Sequence, residues 1–242
     1  MSGLYRDVGV VLRTYKLAES DRIVVIHTLE NGKVRAVAKG VRKTKSKFGA
    51  RLEPMSHVKL LLYRGRNLDI VSQAEAVEPL SPMLSSLDKA SQGLAALEAV
   101  DQLSLEREPN PALYKMLVGV LRTIASTPSP LNVPAFYWKL LAREGFSPEL
   151  YSCVRCGESE PETPMVAFDL NEGGVLCRAC RSGQSISPEA LELLRDILGG
   201  RLVEALAREE SPTTHEVASL ATKALEFQLE RRLKATAMFE TH

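Results

Sequence analysis

The chain has 242 residues, of which 45% are hydrophobic and 25% are charged, and these values are typical of a globular protein with a packed core rather than of a disordered one. No apolar run approaches the ~20 residues of a membrane span, and no secretory leader is recognisable, so we expect a cytoplasmic protein that does not enter a membrane. The net charge of +1 hides two unlike parts. Residues 1–80 contain fifteen Lys and Arg against eight Asp and Glu, whereas residues 81–242 contain sixteen Lys and Arg against twenty-two Asp and Glu. This asymmetry predicts a polyanion partner for the first part.

Five short apolar segments with the alternation of β-strands lie in the first eighty residues. They cover residues 8–12, 22–28, 33–39, 57–63 and 68–77, and an Asn31-Gly32 pair predicts a tight hairpin between the second and the third. Five strands with no strong helix among them predict a small closed barrel of the OB type, with an SH3-like barrel as the structural alternative. We therefore expect an α+β multidomain protein in which an OB-fold barrel is followed by an all-α domain that carries a four-cysteine module.

Helical periodicity replaces the strands after Pro82. Asn110 predicts the N-cap of a second helix, and the last helix begins near Thr213 with Glu216 completing a capping box. The apolar stripe of the first helix is Leu87, Leu94, Leu97, Val100 and Leu103. The later stripes are Leu113, Met116, Leu117, Val120, Leu121 and Ile124, then Phe136, Tyr137, Leu140 and Leu141, then Leu191, Leu194 and Ile197, then Val217, Leu220, Ala221, Ala224 and Leu225. The predicted domains are 1–80 for the basic barrel, 81–152 and 184–242 for the two parts of the helical domain, and 153–183 for the cysteine module.

All four cysteines of the chain fall in one pattern, C-x2-C-x20-C-x2-C, formed by Cys153, Cys156, Cys177 and Cys180. Two residues between a pair of ligands allow one tight turn to direct both thiolates at the same ion, and two such turns complete a tetrahedron. Thiols stay reduced in the cytoplasm, so metal ligation is favoured over disulfides. The sequence predicts one structural Zn²⁺.

Two other interpretations of the cysteines are weaker. A redox Cys-x-x-Cys pair belongs beside a βαβ unit, and none is visible here. A catalytic zinc site keeps one position open for water, whereas four cysteines fill all positions. Zinc nucleobase deaminases also need His-x-Glu ahead of Pro-Cys-x-x-Cys, and Ser152 precedes the first pair. Residues 153–183 carry three arginines against five carboxylates, which disfavours phosphate contact by the module.

Basic residues dominate the stretch from Lys33 to Arg66, where Glu53 is the one acidic residue. The alternative is a solvated surface, but an ordinary solvated surface mixes both signs of charge. Several cations along a groove bind phosphates by releasing counterions, and aromatic support is confined to Phe48, which is equally well explained as a packing anchor, and Tyr63. The predicted nucleic-acid-binding residues are Lys33, Arg35, Lys39, Arg42, Lys43, Lys45, Lys47 and Arg51.

No dinucleotide-binding, Walker or nucleophile-elbow motif is present in the sequence. The carboxylates are spread along predicted helices at surface positions, where solvation accounts for them. We therefore expect a binding protein and not an enzyme. The alternatives that remain open from the residues are an RNA- or ribosome-associated OB protein and a zinc-dependent enzyme.

Several segments, in their order along the chain, resemble the RecO family of bacterial recombination mediators. They are Val11-Leu12-Arg13-Thr14, Glu19-Ser20-Asp21-Arg22-Ile23-Val24, Val37-Ala38-Lys39-Gly40-Val41-Arg42-Lys43 with Ser46, Leu52-Glu53-Pro54, and Gly173-Gly174-Val175-Leu176-Cys177. The resemblance implies an N-terminal OB domain and a helical domain with an inserted zinc module. It also implies binding to single- and double-stranded DNA, annealing of complementary strands, complexes with RecR and the single-strand-binding protein, and assistance in loading RecA by a cytoplasmic, nucleoid-associated protein. Of the basic residues, it favours Lys39, Arg42, Lys43 and Lys47 as DNA contacts.

Overall fold

The computed structural model describes residues 3–43, 46–79 and 81–234. These residues form two compact units, one of residues 3–127 with Lys234 and the other of residues 128–233. The first unit contains five strands: β1 (Leu4–Lys16), β2 (Arg22–Thr28), β3 (Gly32–Ala38), β4 (His57–Tyr63) and β5 (Asp69–Ala76). The first helices, α1 (Leu87–Leu103) and α2 (Pro111–Ser126), belong to the same unit. The domain division made from the sequence follows secondary-structure class instead, and it stays a prediction.

The five strands close into a barrel in the order β1-β2-β3-β5-β4. All neighbours are antiparallel except β3 and β5, which run parallel and pair only at Ala36 with Asp69 and at Val37 with Ile70. Alternation produces the core, because Val34, Ala36 and Ala38 of β3 point inward while the intervening side chains point outward. The structure confirms the predicted barrel of OB type, whose β1 is longer than the sequence pattern indicated.

The Asn-Gly hairpin between β2 and β3 is built as the sequence predicts. Gly32 has a φ of +63°, a left-handed conformation that glycine adopts without strain. A Cβ atom at Gly32 would also lie 1.9 Å from the carbonyl oxygen of Glu108. This glycine is therefore required both by the turn and by the close approach of the chain that leads from α1 to α2.

The buried face of α1 differs from the predicted stripe. Leu97 and Val100 are buried, but Leu87 is 81% exposed and Leu94 is 40% exposed. Alanines at positions 95, 96 and 99 take their place in the core. The small side chains allow α1 to approach β1 and α2 closely, so packing selects a face that hydrophobicity alone does not mark. On α2, the Asn110 side chain caps Leu113 N at 3.0 Å as predicted.

The second unit contains the remaining elements: α3 (Asn132–Arg143), β6 (Met165–Asp169), β7 (Gly174–Cys177), β8 (Gln184–Ser185), α4 (Pro188–Leu198), α5 (Leu202–Leu206) and α6 (Pro212–Leu229). Its core forms where α6 packs against α3 and α4, and the predicted stripe of α6 is buried. No helix of the described residues combines the length and apolar character needed to cross a bilayer.

The predicted capping box of α6 is wrong in its partners. Pro212 occupies the first turn, so Ser211 is the N-cap, and its reciprocal partner is Thr214. Glu216 instead accepts hydrogen bonds from the backbone N–H and the hydroxyl of Ser187, at 2.8 and 2.6 Å. Ser187 is the N-cap of α4, so Glu216 joins the starts of two helices.

Candidate nucleic-acid interface and metal cluster

The basic loop, which we define as residues 39–53, is anchored by side chains that enter the barrel. Val41, Phe48 and Leu52 belong to the barrel core, and Phe48 is only 1% exposed. The second part of the loop forms a short 3-10 helix, Gly49–Leu52. The structure therefore resolves the two interpretations of Phe48: its ring is a packing anchor. Tyr63, the other ring considered from the sequence, lies on β4 and is 50% exposed.

Asp21 of the β1–β2 connection and Arg22, the first residue of β2, hold the start and the end of the basic loop. One carboxylate oxygen of Asp21 accepts the backbone N–H of Gly40 at 2.7 Å, and this hydrogen bond lowers the pKa of Asp21 below its usual value. Arg22 forms an ion pair with Glu53 at 2.8 Å. Asp21 and Arg22 stand in one of the segments that resemble the RecO family, and Gly40 and Glu53 stand in two others. In the fold these segments contact one another and fix the path of the basic loop.

Five of the predicted DNA contacts project from this loop, and within the described residues none of them forms an ion pair with a carboxylate. Three of them donate to backbone carbonyls, which leaves their charge uncompensated: Arg42 to Glu19 at 3.0 Å, Lys47 to Ser72 at 2.9 Å, and Arg51 to Lys47 at 3.0 Å. The five residues are Lys39, Arg42, Lys43, Lys47 and Arg51. Lys45 lies outside the described residues.

Lys33 and Arg35 have a different environment on β3. The Lys33 ammonium lies 2.7 Å from the Asp101 carbonyl oxygen and 3.3 Å from its carboxylate, and the Lys33 side chain is only 13% exposed. Arg35 lies 3.6 Å from a carboxylate oxygen of Glu106. The structure thus divides the predicted contacts into a loop set that forms no ion pair with a carboxylate among the described residues and a strand set in which each cation lies beside a carboxylate.

Asp101 is the residue that the sequence-based reasoning missed in this region. It lies on α1, it is 7% exposed, and its other carboxylate oxygen pairs with Arg13 at 2.5 Å. Nothing in the local sequence distinguishes it from the other carboxylates of the helices. Only the packing of α1 against β1 brings it to the strand cations.

The four cysteines of the second unit converge on one point. Their sulfur atoms all lie within 4.8 Å of one another, and the sulfurs of Cys156 and Cys177 are 3.8 Å apart. A tetrahedral ion with Zn–S bonds of ~2.3 Å places its ligands ~3.8 Å apart. The residues therefore fit a tetrahedral thiolate-bound metal ion, and the predicted metal-binding cluster is confirmed.

The first cysteine turn is arranged to favour thiolate. Gly157, with a φ of +79°, donates its N–H to the Cys153 carbonyl oxygen at 2.8 Å, and the Cys153 N–H reaches the Glu158 carbonyl at 2.7 Å. Burial opposes ionisation of Cys153, but the backbone N–H groups of the two turns outweigh it and lower the pKa to about 6. Hydrogen bonding to Cys156 raises the pKa of Cys180 to about 12. Four thiols packed this closely cannot all ionise without a cation to compensate them.

The Arg155 side chain packs onto the four-cysteine module and does not project into solvent as a free cation. Its guanidinium donates to the Cys180 carbonyl oxygen at 2.8 Å and to the Ser182 hydroxyl at 3.0 Å, and it forms an ion pair with Glu172. Because these contacts tie the first cysteine turn to the second, they hold the cluster together. Its charge is compensated by Glu172, which agrees with the acidic balance of the module.

The fold and the sites together define an OB-barrel protein with a basic loop, a helical C-terminal region and a four-cysteine metal-binding cluster. Residues 1–80 match the family model described as recombination protein O N terminal, and residues 84–237 match the model described as recombination protein O C terminal. The chain is 42% identical over 245 aligned residues to a DNA repair protein RecO from Nocardioides sp., with 98% of this chain and 99% of that protein covered. The chain therefore belongs to the RecO family of DNA repair proteins.

Proposed function

We propose that this chain binds single- and double-stranded DNA mainly through phosphates and that the basic loop supplies the principal contact. The observation that carries the proposal is the set of five loop cations that form no ion pair with a carboxylate among the described residues. Their backbone is fixed by Val41, Phe48 and Leu52 in the barrel core. Cations at fixed positions without an ion-pair partner release counterions from a polyanion, whereas a cation beside a carboxylate contributes less.

The same arrangement supports annealing of complementary strands. Two strands repel each other, and a dense group of cations screens both at once. A protein that traps unstacked bases on aromatic rings would hold strands apart, because each stacked base contributes ~1–3 kcal/mol. The ring of the basic loop, Phe48, is buried and does not serve this purpose. We therefore propose that binding through phosphates leaves the base edges free to pair and that annealing requires no nucleotide cofactor.

We also propose that the four cysteines hold Zn²⁺ and that this ion has a structural role. Four thiolates are the ligand set of structural zinc, and they leave no position for a reactive water. Arg155 reinforces the same cluster from outside. This supports a protein without catalytic turnover.

The remaining parts of the proposal rest on membership of the RecO family. We propose that this chain acts in the cytoplasm at the nucleoid, forms complexes with RecR and the single-strand-binding protein, and assists RecA loading indirectly. The alternative is an RNA- or ribosome-associated OB protein, since phosphate charge is common to DNA and RNA. The DNA repair name of the relative favours DNA.

The proposal is tested by fluorescence anisotropy with a labelled single-stranded oligonucleotide across a salt series. Loss of two phosphate contacts in an Arg42→Glu/Lys43→Glu variant flattens the slope of log K against log salt by about 1.4 and weakens binding at 0.1 M salt at least about 25-fold. Arg35→Gln is the control, because Arg35 lies on β3 beside the Glu106 carboxylate, and we expect a slope change of less than about 0.5. Equal effects of the two variants would remove the loop from the interface. Tighter binding of an RNA of the same length, by about tenfold, would favour the alternative.

A further inference from the structure

Strand β5 loses its neighbour on one edge partway along its length. It pairs with β3 at Asp69 and Ile70 only, whereas its antiparallel pairing with β4 continues to Ala76. Within the part of the chain that the structure describes, no backbone segment pairs with the other edge of β5 beyond Ile70. The reason is that β3 ends at Ala38 and the chain turns away into the basic loop. A closed barrel thus contains a short open strand edge.

A groove of about 570 Å³ lies between this edge and the basic loop. One wall is residues 72–76 of β5, and the other is Lys47, Phe48 and Arg51. A second pocket of about 430 Å³ shares Lys47, Phe48, Arg51 and Ala76 and continues the groove toward Pro79. Five residues of edge strand span ~17 Å, which matches about five residues of a second extended chain.

The edge offers the groups that strand addition uses. In an edge strand every second residue directs its N–H and C=O away from the sheet, and such groups pair readily with an extended peptide. The small side chain of Ala76, which lines both pockets, leaves room for close approach. One outward carbonyl, that of Ser72, is held at present by the Lys47 ammonium at 2.9 Å. Lys47 therefore covers the edge and must move to a new partner when a chain enters.

The charge of the groove selects an acidic chain. Lys47 and Arg51 have no carboxylate ion pair within the described residues. Two carboxylates line the groove and its continuation: Glu75 stands directly across from Lys59 of β4, and Glu78 forms an ion pair with Arg122. An incoming carboxylate would take over the Lys47 ammonium and release Ser72 for backbone pairing. A DNA strand could use the same cations, but it lacks the alternating N–H and C=O groups that the edge can pair.

We propose that the groove beside β5 binds an extended acidic peptide segment of a partner protein by strand addition. Because the segment and DNA would share Lys47 and Arg51, peptide binding displaces DNA from part of the basic loop. Only this competition rests on the proposed function, since peptide binding itself needs no DNA. The surface would thus couple arrival of a protein partner to release of nucleic acid.

The test uses the full chain and a fluorescein-labelled heptapeptide of alternating Asp and Val, blocked at both ends. Two further peptides carry N-methyl groups on one or the other alternate set of amides. Strand addition predicts that one set weakens binding at least about tenfold while the other changes it less than about threefold, because only one set faces β5. Lys47→Glu/Arg51→Glu abolishes binding, and Arg42→Glu/Lys43→Glu, which reverses the same number of charges outside the groove, serves as the control. Amide exchange at residues 72–76 slows at least about tenfold with saturating peptide.

Four outcomes overturn the proposal: absence of saturable binding up to about 1 mM peptide, equal effects of the two N-methyl sets, insensitivity to Lys47→Glu/Arg51→Glu, or slowed exchange elsewhere but not at residues 72–76. The Arg42→Glu/Lys43→Glu variant separates this proposal from the DNA-binding one. Neither residue lines the groove, so that variant keeps peptide affinity within about threefold even where DNA affinity is lost. Displacement of a bound oligonucleotide by the peptide tests the competition, and simultaneous binding of both would contradict it.

Discussion

Phe48→Ala separates the charge of the basic loop from its order. The ring is 1% exposed and is among the largest fully buried side chains of the chain. Replacing such a phenylalanine by alanine costs about 3–5 kcal/mol, because the transfer free energy of the ring is lost and a cavity remains. The variant keeps every cation, but the basic loop loses the central one of its three anchors, Val41, Phe48 and Leu52.

DNA affinity should fall together with stability. A loop that samples other conformations must be ordered again on binding, and fixing one residue costs about 1–2 kcal/mol. We expect about tenfold weaker binding of a single-stranded oligonucleotide at 0.1 M salt, or about 1.4 kcal/mol. The slope of log K against log salt should stay within about 0.5 of the wild-type value, since the number of cations is unchanged.

Urea unfolding gives the stability change, and anisotropy under conditions where circular dichroism shows a folded variant gives the affinity. Phe146→Ala is the matched control, because Phe146 is 49% exposed and lies in the second unit, and we expect it to cost less than about 1 kcal/mol. Phe48→Leu, which refills most of the space, should restore most of the affinity. Wild-type affinity in a folded but destabilised Phe48→Ala variant would refute the view that DNA binding needs an anchored loop.

Three further predictions concern the metal, a turn and pH. Cys177→Ser should lose about one equivalent of zinc by elemental analysis and destabilise the second unit by several kcal/mol, while amide exchange in the barrel stays slow; wild-type protein without zinc would contradict it. Gly32→Ala should cost at least about 2 kcal/mol in urea unfolding, because of the positive φ and the contact with Glu108. The control is Gly119→Ala, which lies in open space on a helix and should stabilise the protein by about 0.5–1 kcal/mol. Equal effects of the two substitutions would show that Gly32 is not strained by a side chain. Burial lowers the pKa of His27 to about 4. Below the unfolded pKa of ~6.5 only the unfolded chain gains this proton, so His27 should contribute about 2 kcal/mol to the fall in the free energy of unfolding from pH 7 to pH 5, and the pKa of His57, which burial also lowers, adds to that fall. A His27→Asn variant whose free energy of unfolding falls as much as that of the wild type would contradict this.

Local patterns were sufficient where a single element carries the information. Strand alternation and the Asn31-Gly32 turn predicted the barrel, and the spacing of the four cysteines predicted a cluster whose sulfurs lie within 4.8 Å of one another. In each case the residues that form the feature are neighbours along the chain or repeat with a short period. The same is true of the Asn110 cap.

Tertiary contacts account for what the sequence did not reveal. The face of α1 is set by alanines that carry little hydrophobic contrast, so Leu87 and Leu94 were placed inside although both are exposed. Glu216 binds the N-cap of another helix, twenty-nine residues away. The separate environment of Lys33 depends on Asp101, which only the packing of α1 brings to it. Such contacts join residues that are far apart in the sequence, so no local sequence pattern reveals them.

The rate of duplex formation from two dilute complementary oligonucleotides, measured without ATP, shows whether this chain anneals DNA. We expect the wild-type chain to accelerate duplex formation, the acceleration to fade as salt rises, and Arg42→Glu/Lys43→Glu to abolish it while Arg35→Gln retains it. A wild-type chain that binds both strands but leaves the rate unchanged or slower would contradict annealing and would favour passive binding of DNA or RNA.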